Sequence, residues 1–271
     1  MPSAAAGRRP QPLRTPCWDG AAFAAWRSGA YRLFAALLLP PSAARLRWLR
    51  TVATELRQSN DALAGFGFFG SWQKLAEALE NLDEQETAVL QEEHARLFSF
   101  PQDRALCPPY ESYHVARDGQ DPGQVAAELS STYRQAGLHL APVGPGEPDH
   151  ASVELEFVAF LCQREAESWD CRDPDSALQS LAQQSAFLNS HLGLWLGLFA
   201  RQVAADACVV PAGRREGTDE PFYGLVVDAC FALVHHDRDL TELLLDQIPQ
   251  VRRDRGTRTL ASGTSLIDGP T

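Results

Sequence analysis

Apolar residues recur at spacings of three and four along most of this chain, and this spacing predicts amphipathic helices. The first helix carries Phe23, Trp26 and Phe34 on one face, and Pro40-Pro41 should end it because proline cannot continue a helix. No segment shows the strict alternation or the turn residues of a β-hairpin. Further helices are predicted after a cap at Ser42, around Trp72–Leu79, over Asp83–Leu97, from Pro122 to a stop at Gly137, over Asp149–Ser168, from Pro174, through Leu192–Val203 with a kink near Gly193, from Pro221, and over Leu240–Gln247.

The segment from Asp149 to Ser168 is predicted to be the central helix, because its apolar residues cover most of its circumference. Asp149 is the expected N-cap, accepting the N–H of Ser152. The whole pattern predicts an all-α, single-domain bundle of about nine or ten helices over residues 18–250. Residues 1–17 and 251–271 are polar or rich in proline and glycine, and they are predicted to be disordered tails.

Length and composition narrow the class of protein. The 271 residues, 45% of them hydrophobic, can form a substantial core. No run approaches the roughly 18 apolar residues of a membrane span. Arg8-Arg9 is followed by Pro10-Gln11-Pro12 and not by a hydrophobic segment, so the N-terminus does not resemble an export signal. The predicted location is therefore the cytoplasm.

The charge is unevenly distributed. The chain carries a net charge of −11, while residues 1–17 carry +3 and residues 251–271 carry +2, so residues 18–250 carry −16. A body this acidic speaks against nucleic acid as the main partner, because phosphate binding needs a basic face. It is compatible with a basic peptide partner, although an acidic surface also serves solubility alone.

Motifs for catalysis or cofactor binding are weak. The six cysteines show no paired spacing, so neither a metal finger nor a disulfide framework is expected. Gly65–Gly70 matches the pattern G-x-G-x-x-G, but the residues before it do not resemble the buried strand that a dinucleotide site requires. No cofactor is predicted. A nucleotide-binding helical protein is retained as the weaker alternative.

An acidic stretch precedes and enters the predicted central helix. Glu147, Asp149, Glu154 and Glu156 lie in a segment without lysine or arginine, after a proline-rich loop. The helix dipole accounts for part of this pattern, and Asp149 and His150 are too close in sequence to form a catalytic relay. His150 could be an exposed residue of the first turn. The same acids could also form a receptor for guanidinium groups, because carboxylates accept paired hydrogen bonds from arginine.

Two segments carry a resemblance to one family. Residues 107–115 read CPPYESYHV, and residues 147–167 read EPDHASVELEFVAFLCQREAE. Both are similar to segments of the TorD/DmsD redox-enzyme maturation chaperones, and Phe187–Phe199 and Pro221–Leu225 fit in the same order. The resemblance extends over about Tyr31–Leu245, nearly the whole body of the chain.

The resemblance implies a cytosolic all-helical chaperone without enzymatic activity. Its partner would be the apo form of a molybdopterin-containing oxidoreductase or its twin-arginine signal peptide, held until the cofactor is inserted and export is permitted. The chaperone would be a monomer or a homodimer. An assembly factor for a non-exported client, as in the nitrate-reductase branch of the family, is the alternative. The client-binding residues that the resemblance implies are Asp149 and His150, with Glu147, Pro148, Glu154, Tyr110, Glu111 and Trp72 nearby.

Overall fold

The computed structural model describes residues 19–82, 86–99, 105–115, 121–140, 147–207 and 221–261. Within these ranges the chain is helical apart from short connections and one isolated β-bridge. The helices are α1 (Gly20–Leu37), α2 (Ala43–Arg57), α3 (Asn60–Leu63), α4 (Phe69–Glu80), α5 (Thr87–His94), α6 (Glu111–Val115), α7 (Pro122–Gln135), α8 (Ala151–Asp170), α9 (Pro174–Ser190), α10 (Leu192–Ala207) and α11 (Phe222–Ala261), and a π-helical turn (Ala95–Ser99) follows α5.

The all-α prediction is confirmed. The described residues form eleven α-helices, where nine or ten were predicted, and the short helices α3 and α6 were not foreseen. In the same ranges, no helix combines the length and the apolar character needed to cross a bilayer. The predicted tail 1–17 lies outside the described residues.

The core is built around α8, which packs against α1 on one side and α9 on the other. The long helix α11 packs against α10, α9 and α4. Phe157, Leu161 and Trp195 are buried as the sequence predicted. Phe160 is only partly buried, and the guanidinium of Arg164 lies 5.7 Å from its ring centre.

Several helix ends follow the predicted chemistry. The side chain of Ser42 accepts the N–H of Arg45 at the start of α2. Asp121 and Asp173 each cap a helix that has proline in its first turn. Gly137 follows α7 with φ of 83°, a conformation that glycine adopts without steric cost.

The kink predicted near Gly193 is the junction between α9 and α10. His191 separates the two helices. A Cβ atom on Gly193 would lie 2.3 Å from the carbonyl oxygen of Leu188, so the turn admits no side chain at this position.

The C-terminal part of the chain differs from the prediction. α11 continues without a break from Phe222 to Ala261, so the separate short helix predicted at Leu240–Gln247 is part of it. The disordered tail predicted over residues 251–271 stays a prediction, while the backbone of residues 251–261 is helical as part of α11. Residues 262–271 lie outside the described residues.

A buried polar network joins four helices. The guanidinium of Arg27 on α1 donates hydrogen bonds to Glu165 on α8 at 2.9 Å, to Asp237 on α11 at 2.9 Å, and to Gln184 on α9. Arg27 Nε also lies 2.7 Å from Asp237 Oδ1. Tyr31 donates to Asp237 at 2.8 Å, and Gln184 donates to Glu165 at 3.0 Å. The network therefore fixes the mutual positions of α1, α8, α9 and α11.

Replacing Arg172 by glycine is expected to stabilise the fold. Arg172 follows the C-cap of α8 with φ of 56°, and the N–H of Asp173 returns to the carbonyl of Ser168 at 2.8 Å, as in a Schellman motif. A non-glycine residue in this left-handed conformation is strained, so Arg172→Gly should raise the free energy of unfolding by about 0.5–1 kcal/mol. Urea denaturation measures this change. Arg172→Ala removes the side chain but keeps Cβ, and an equal gain in that control would contradict strain as the cause.

Candidate functional site

The two segments that carry the family resemblance are joined in space. We call residues 107–115 the PPYES loop and residues 147–150 the EPDH turn. The N–H of Glu111 donates to the carbonyl of Asp149 at 2.9 Å, and the N–H of Ala151 donates to the carbonyl of Pro109 at 2.8 Å. Tyr110 and His150 form the isolated β-bridge between them. Segments about 40 residues apart therefore form one junction at the N-terminus of α8.

Asp149 does not cap α8, which corrects the prediction from the sequence. Its carboxylate instead accepts the N–H of Ser112 at 3.2 Å, in the first turn of α6. The residue is 4% exposed. Asp149 therefore holds the PPYES loop against the EPDH turn.

His150 is the N-cap of α8. Its Nδ1 accepts the N–H of Ser152 at 3.1 Å and lies 2.7 Å from the Ser152 hydroxyl. The ring is 6% exposed and meets the Tyr110 ring edge-on, with centres 5.1 Å apart. Burial, with a smaller contribution from nearby His94, lowers the pKa of His150 to about 4. The imidazole is thus neutral at physiological pH, which the capping role of Nδ1 requires.

A buried layer of acids lies beneath the junction. Glu154 is fully buried; its Oε2 accepts the indole N–H of Trp195 at 3.3 Å, and its Oε1 has no hydrogen-bond partner. Glu111 is also buried and lies 3.1 Å from Nδ1 of His191. Burial, and then the neighbouring charges of Glu111 and Asp149, raise the pKa of Glu154 well above its usual range. This shift favours the protonated, neutral form of Glu154 in the folded protein.

The exposed part of the junction is small. Glu147 is exposed, while Tyr110 and Pro148 are half-buried. Burial raises the pKa of Tyr110, and the charges of Glu147 and Asp149 add to this effect, so both acids lie near the phenol. The hydroxyl of Tyr133 on α7 donates a hydrogen bond to the carbonyl of Pro148 in the EPDH turn at 2.8 Å.

The four acids singled out in the sequence therefore do not share one surface. Glu147 and Glu156 are exposed, whereas Asp149 and Glu154 are buried. The alternative interpretation of His150 as an exposed first-turn residue is also wrong. A receptor for guanidinium groups at this junction would have Glu147 as its exposed charge.

Trp72 belongs to a different cluster. It is buried on α4, where its indole donates to Asn60 at 3.1 Å and its ring meets Trp26 edge-on at 5.8 Å. Among the contacts described for Trp72, none joins it to the EPDH turn.

The glycine-rich segment lies in a helical connection. Gly65–Gly70 lies between α3 and the first turn of α4, and no strand precedes it within residues 19–82. A Cβ atom at Gly65, Gly67 or Gly70 would meet nothing within 4 Å, so no close approach requires these glycines. The context of a dinucleotide site is therefore missing in this part of the chain.

A metal-binding cluster is not found among the residues that the structure describes. No group of three potential ligands is assembled there. The described cysteines are free: Cys107, Cys162 and Cys230 are buried and Cys171 is exposed.

Three residues of the junction were not identified as site residues from the sequence. His191 faces Glu111, Trp195 binds Glu154, and Tyr133 binds the EPDH turn. Trp195 was predicted only as a core residue. The sequence offered one signal for these residues: each carries a polar N–H or O–H within an otherwise apolar stretch. Such a group needs a hydrogen-bond partner when it is buried.

Replacing Glu154 by glutamine is expected to change the pH dependence of stability. Because the pKa of Glu154 is raised in the folded state, the contribution of Glu154 to the free energy of unfolding is full at low pH. This contribution is lost as the pH rises through the raised pKa. Glutamine is neutral throughout and can still accept from Trp195. As the pH is raised from about 5 to about 8, the difference in melting temperature between Glu154→Gln and the parent chain should therefore change in favour of the variant. Glu156→Gln, an exposed change on the same helix, should show no such trend; a parallel trend would contradict the assignment.

The family profile and the curated relatives that this chain resembles point to one family. The profile of the nitrate reductase delta subunit family matches residues 67–201. The chain is 32% identical over 118 residues to the chlorate reductase assembly chaperone protein of Ideonella dechloratans, covering 43% of this chain and 58% of that protein. It is 30% identical over 142 residues to the selenate reductase assembly chaperone protein of Thauera selenatis. This match covers 50% of this chain and 68% of that protein.

A third relative is the perchlorate reductase assembly chaperone protein of Dechloromonas aromatica, with 33% identity over 97 residues, 35% of this chain and 41% of that protein. The matched regions thus span between about two fifths and two thirds of the curated relatives. A structure described as a candidate redox enzyme maturation protein from Archaeoglobus fulgidus has 20% sequence identity and a TM-score of 0.44, over 86% of this chain and 99% of that one.

The described residues form an all-helical fold in which the PPYES loop and the EPDH turn are joined. The chain belongs to the nitrate reductase delta subunit family, the TorD-like group of chaperones. This confirms the family resemblance found in the sequence.

Proposed function

We propose that this protein is a cytoplasmic assembly chaperone for a molybdopterin-containing oxidoreductase, without catalytic activity of its own. The observation that carries the proposal is the similarity to three chaperones that assist the assembly of chlorate, selenate and perchlorate reductases. The acidic body, with a charge of −16 over residues 18–250, supports a client segment that is basic.

We further propose that the client is recognised at the junction of the PPYES loop and the EPDH turn. Glu147 is exposed at this junction, and Tyr110 and Pro148 are half-buried there. Asp149 joins the two segments by accepting the N–H of Ser112, and His150 caps α8 by accepting the N–H of Ser152. Glu111 and Glu154 support this junction from within, whereas Trp72 is buried in a separate cluster on α4.

Co-purification tests the chaperone function. The tagged full-length chain is isolated from its native host, and the bound protein is identified by mass spectrometry. The expected partner is the cofactor-free catalytic subunit of an oxidoreductase, and deletion of the chaperone gene should lower the activity and cofactor content of that enzyme. Normal cofactor content in the deletion strain would overturn the proposal.

The sequence of the client distinguishes the two versions of this function. A twin-arginine signal at the client's N-terminus would support a chaperone that delays export. A client without such a signal would support an assembly factor for a non-exported enzyme, as in the nitrate-reductase branch.

Replacing Glu147 by glutamine is expected to weaken binding of a twin-arginine signal peptide. The exposed carboxylate would lose its ionic hydrogen bonds to arginine, and affinity should fall about two- to fivefold, the scale of an exposed ion pair. Isothermal titration measures the dissociation constant at low and at high salt, and the loss should shrink as salt screens the charges. The melting temperature should not change, because Glu147 is exposed.

Two control variants make this experiment specific. Glu156→Gln removes the same charge from an exposed site on α8 and should leave affinity unchanged. Asp149→Asn keeps an acceptor for the N–H of Ser112 but removes the second charge of the turn. Equal binding of twin-arginine and twin-lysine peptides by the parent chain and by all three variants would contradict arginine recognition at this turn.

A further inference from the structure

Helix α2 is a basic element in an acidic body. It contains four arginines and one glutamate and so carries +3, whereas residues 18–250 carry −16 as a whole and therefore −19 without α2. Arg57, in the last turn of the helix, pairs with Glu80 on α4. The side chains of Arg47 and Arg50 are exposed. The outer side of α2 is therefore a positive patch on a negative surface.

An aromatic side chain lies among these exposed arginines. Trp48 is 45% exposed, whereas the leucines of α2 are buried on the side that packs against α1 and α4. Successive residues of an α-helix are rotated by about 100°, so Trp48 and Arg50 flank Arg47 on the outer side. We call these three side chains the α2 outer face. Glu55, the one carboxylate in the sequence of the helix, lies two turns after Trp48.

We propose that the α2 outer face docks the protein on the surface of an anionic lipid bilayer. Arginine binds phosphate oxygens through paired hydrogen bonds. Tryptophan favours the boundary between headgroups and acyl chains, because its ring is apolar and its indole N–H is polar. One helix face supplies all the contacts, so the association is peripheral and reversible. This inference goes beyond the proposed function and does not depend on it.

Opposite charge alone would also permit an acidic polypeptide at this face. Such a partner offers no apolar layer to the ring of Trp48, so the exposed indole favours the bilayer. The acidic remainder of the body opposes both partners at long range. At physiological ionic strength the Debye length is about 8 Å, so charges farther than this from the bilayer are largely screened.

The experiment is co-sedimentation of the full-length chain with vesicles of phosphatidylcholine, with and without phosphatidylglycerol. Binding is expected only when phosphatidylglycerol is present, and it should weaken as salt rises from about 50 to about 300 mM. Arg50→Gln should lower the partition coefficient about fivefold, the contribution of one arginine at an anionic surface. Trp48→Ser should lower it about tenfold, whereas Trp48→Phe should retain most of the binding. Circular dichroism verifies that each variant is folded.

Two variants on α10 are the matched controls. Arg201→Gln removes an exposed arginine, and Leu194→Ser replaces an apolar side chain that is 54% exposed. Neither should change the binding to vesicles. An equal loss for Arg201→Gln and Arg50→Gln would mean that net charge, and not the α2 outer face, controls binding, and this would overturn the proposal.

Three other results would also overturn it. The first is the absence of binding to phosphatidylglycerol vesicles at low salt. The second is unchanged binding of both Arg50→Gln and Trp48→Ser, which would place the contact elsewhere, for instance in residues 1–17 with their charge of +3. The third is retention of the chain on immobilised polyglutamate without binding to vesicles, which would assign the α2 outer face to an acidic polypeptide.

Discussion

Replacing Arg27 by methionine is expected to lower the free energy of unfolding by about 3–5 kcal/mol, the cost of leaving buried charges without their partner. Methionine fills much of the same volume, so the loss is electrostatic. Glu165 and Asp237 would remain buried without the guanidinium that both now contact at 2.9 Å. Urea denaturation at neutral pH, followed by circular dichroism, measures the change.

Two further variants isolate the origin of this loss. Arg32→Met makes the same substitution at an exposed position of the same helix and should change stability by less than about 0.5 kcal/mol. Adding Glu165→Gln and Asp237→Asn to Arg27→Met removes both stranded charges and should restore part of the stability. A triple variant as unstable as Arg27→Met would mean that packing around Arg27, and not charge, causes the loss.

Lowering the pH from 7 to 4 is expected to remove about 3 kcal/mol of stability through His150 alone, since each unit of pKa shift corresponds to about 1.4 kcal/mol. The pKa of His150 is lowered to about 4 by burial, so the folded state binds fewer protons than the unfolded state below the usual value of 6.5. The contribution of His150 to the free energy of unfolding is present above pH 6.5 and is lost as the pH falls toward 4. Protonation of Nδ1 would also end its hydrogen bond with the N–H of Ser152.

The variant His150→Asn tests this expectation. Asparagine is a good N-cap and does not titrate, so the variant should lose less stability than the parent chain between pH 7 and pH 4. His139→Asn removes an exposed imidazole and is the matched control. Parallel stability curves for His150→Asn and the parent chain would contradict the prediction. The sign is opposite to that expected for Glu154, whose contribution is lost as pH rises.

At the junction, burial thus raises the pKa of the Glu154 carboxyl group and lowers the pKa of the His150 imidazole. Glu154 lies in the first two turns of α8 and His150 caps that helix, and burial favours the neutral form of each side chain. The neutral form favoured at Glu154 is consistent with its full burial in the core.

The sequence by itself determined the all-α class, most helix positions and the family. Helical spacing of apolar residues located α1, α2, α4 and α7–α10, because burial of one face is the main cause of helix formation in a globular protein. Local chemistry located their ends, as Ser42, Asp121 and Asp173 illustrate. The EPDH turn and the PPYES loop were singled out as candidate site segments from their residues alone, and the structure joins them.

Only the tertiary structure decided what the individual polar residues of the site do. Asp149 was expected to cap the helix that follows it, but its carboxylate binds an N–H from residue 112, and His150 takes the cap. Glu154 was expected to be one of a set of surface acids, yet it is buried against Trp195. A carboxylate can accept a hydrogen bond from any N–H within reach, and the choice among them depends on which distant segments fold against it. Local sequence carries the periodicity that places a residue on a helix, whereas the burial and partners of a side chain are properties of the assembled core.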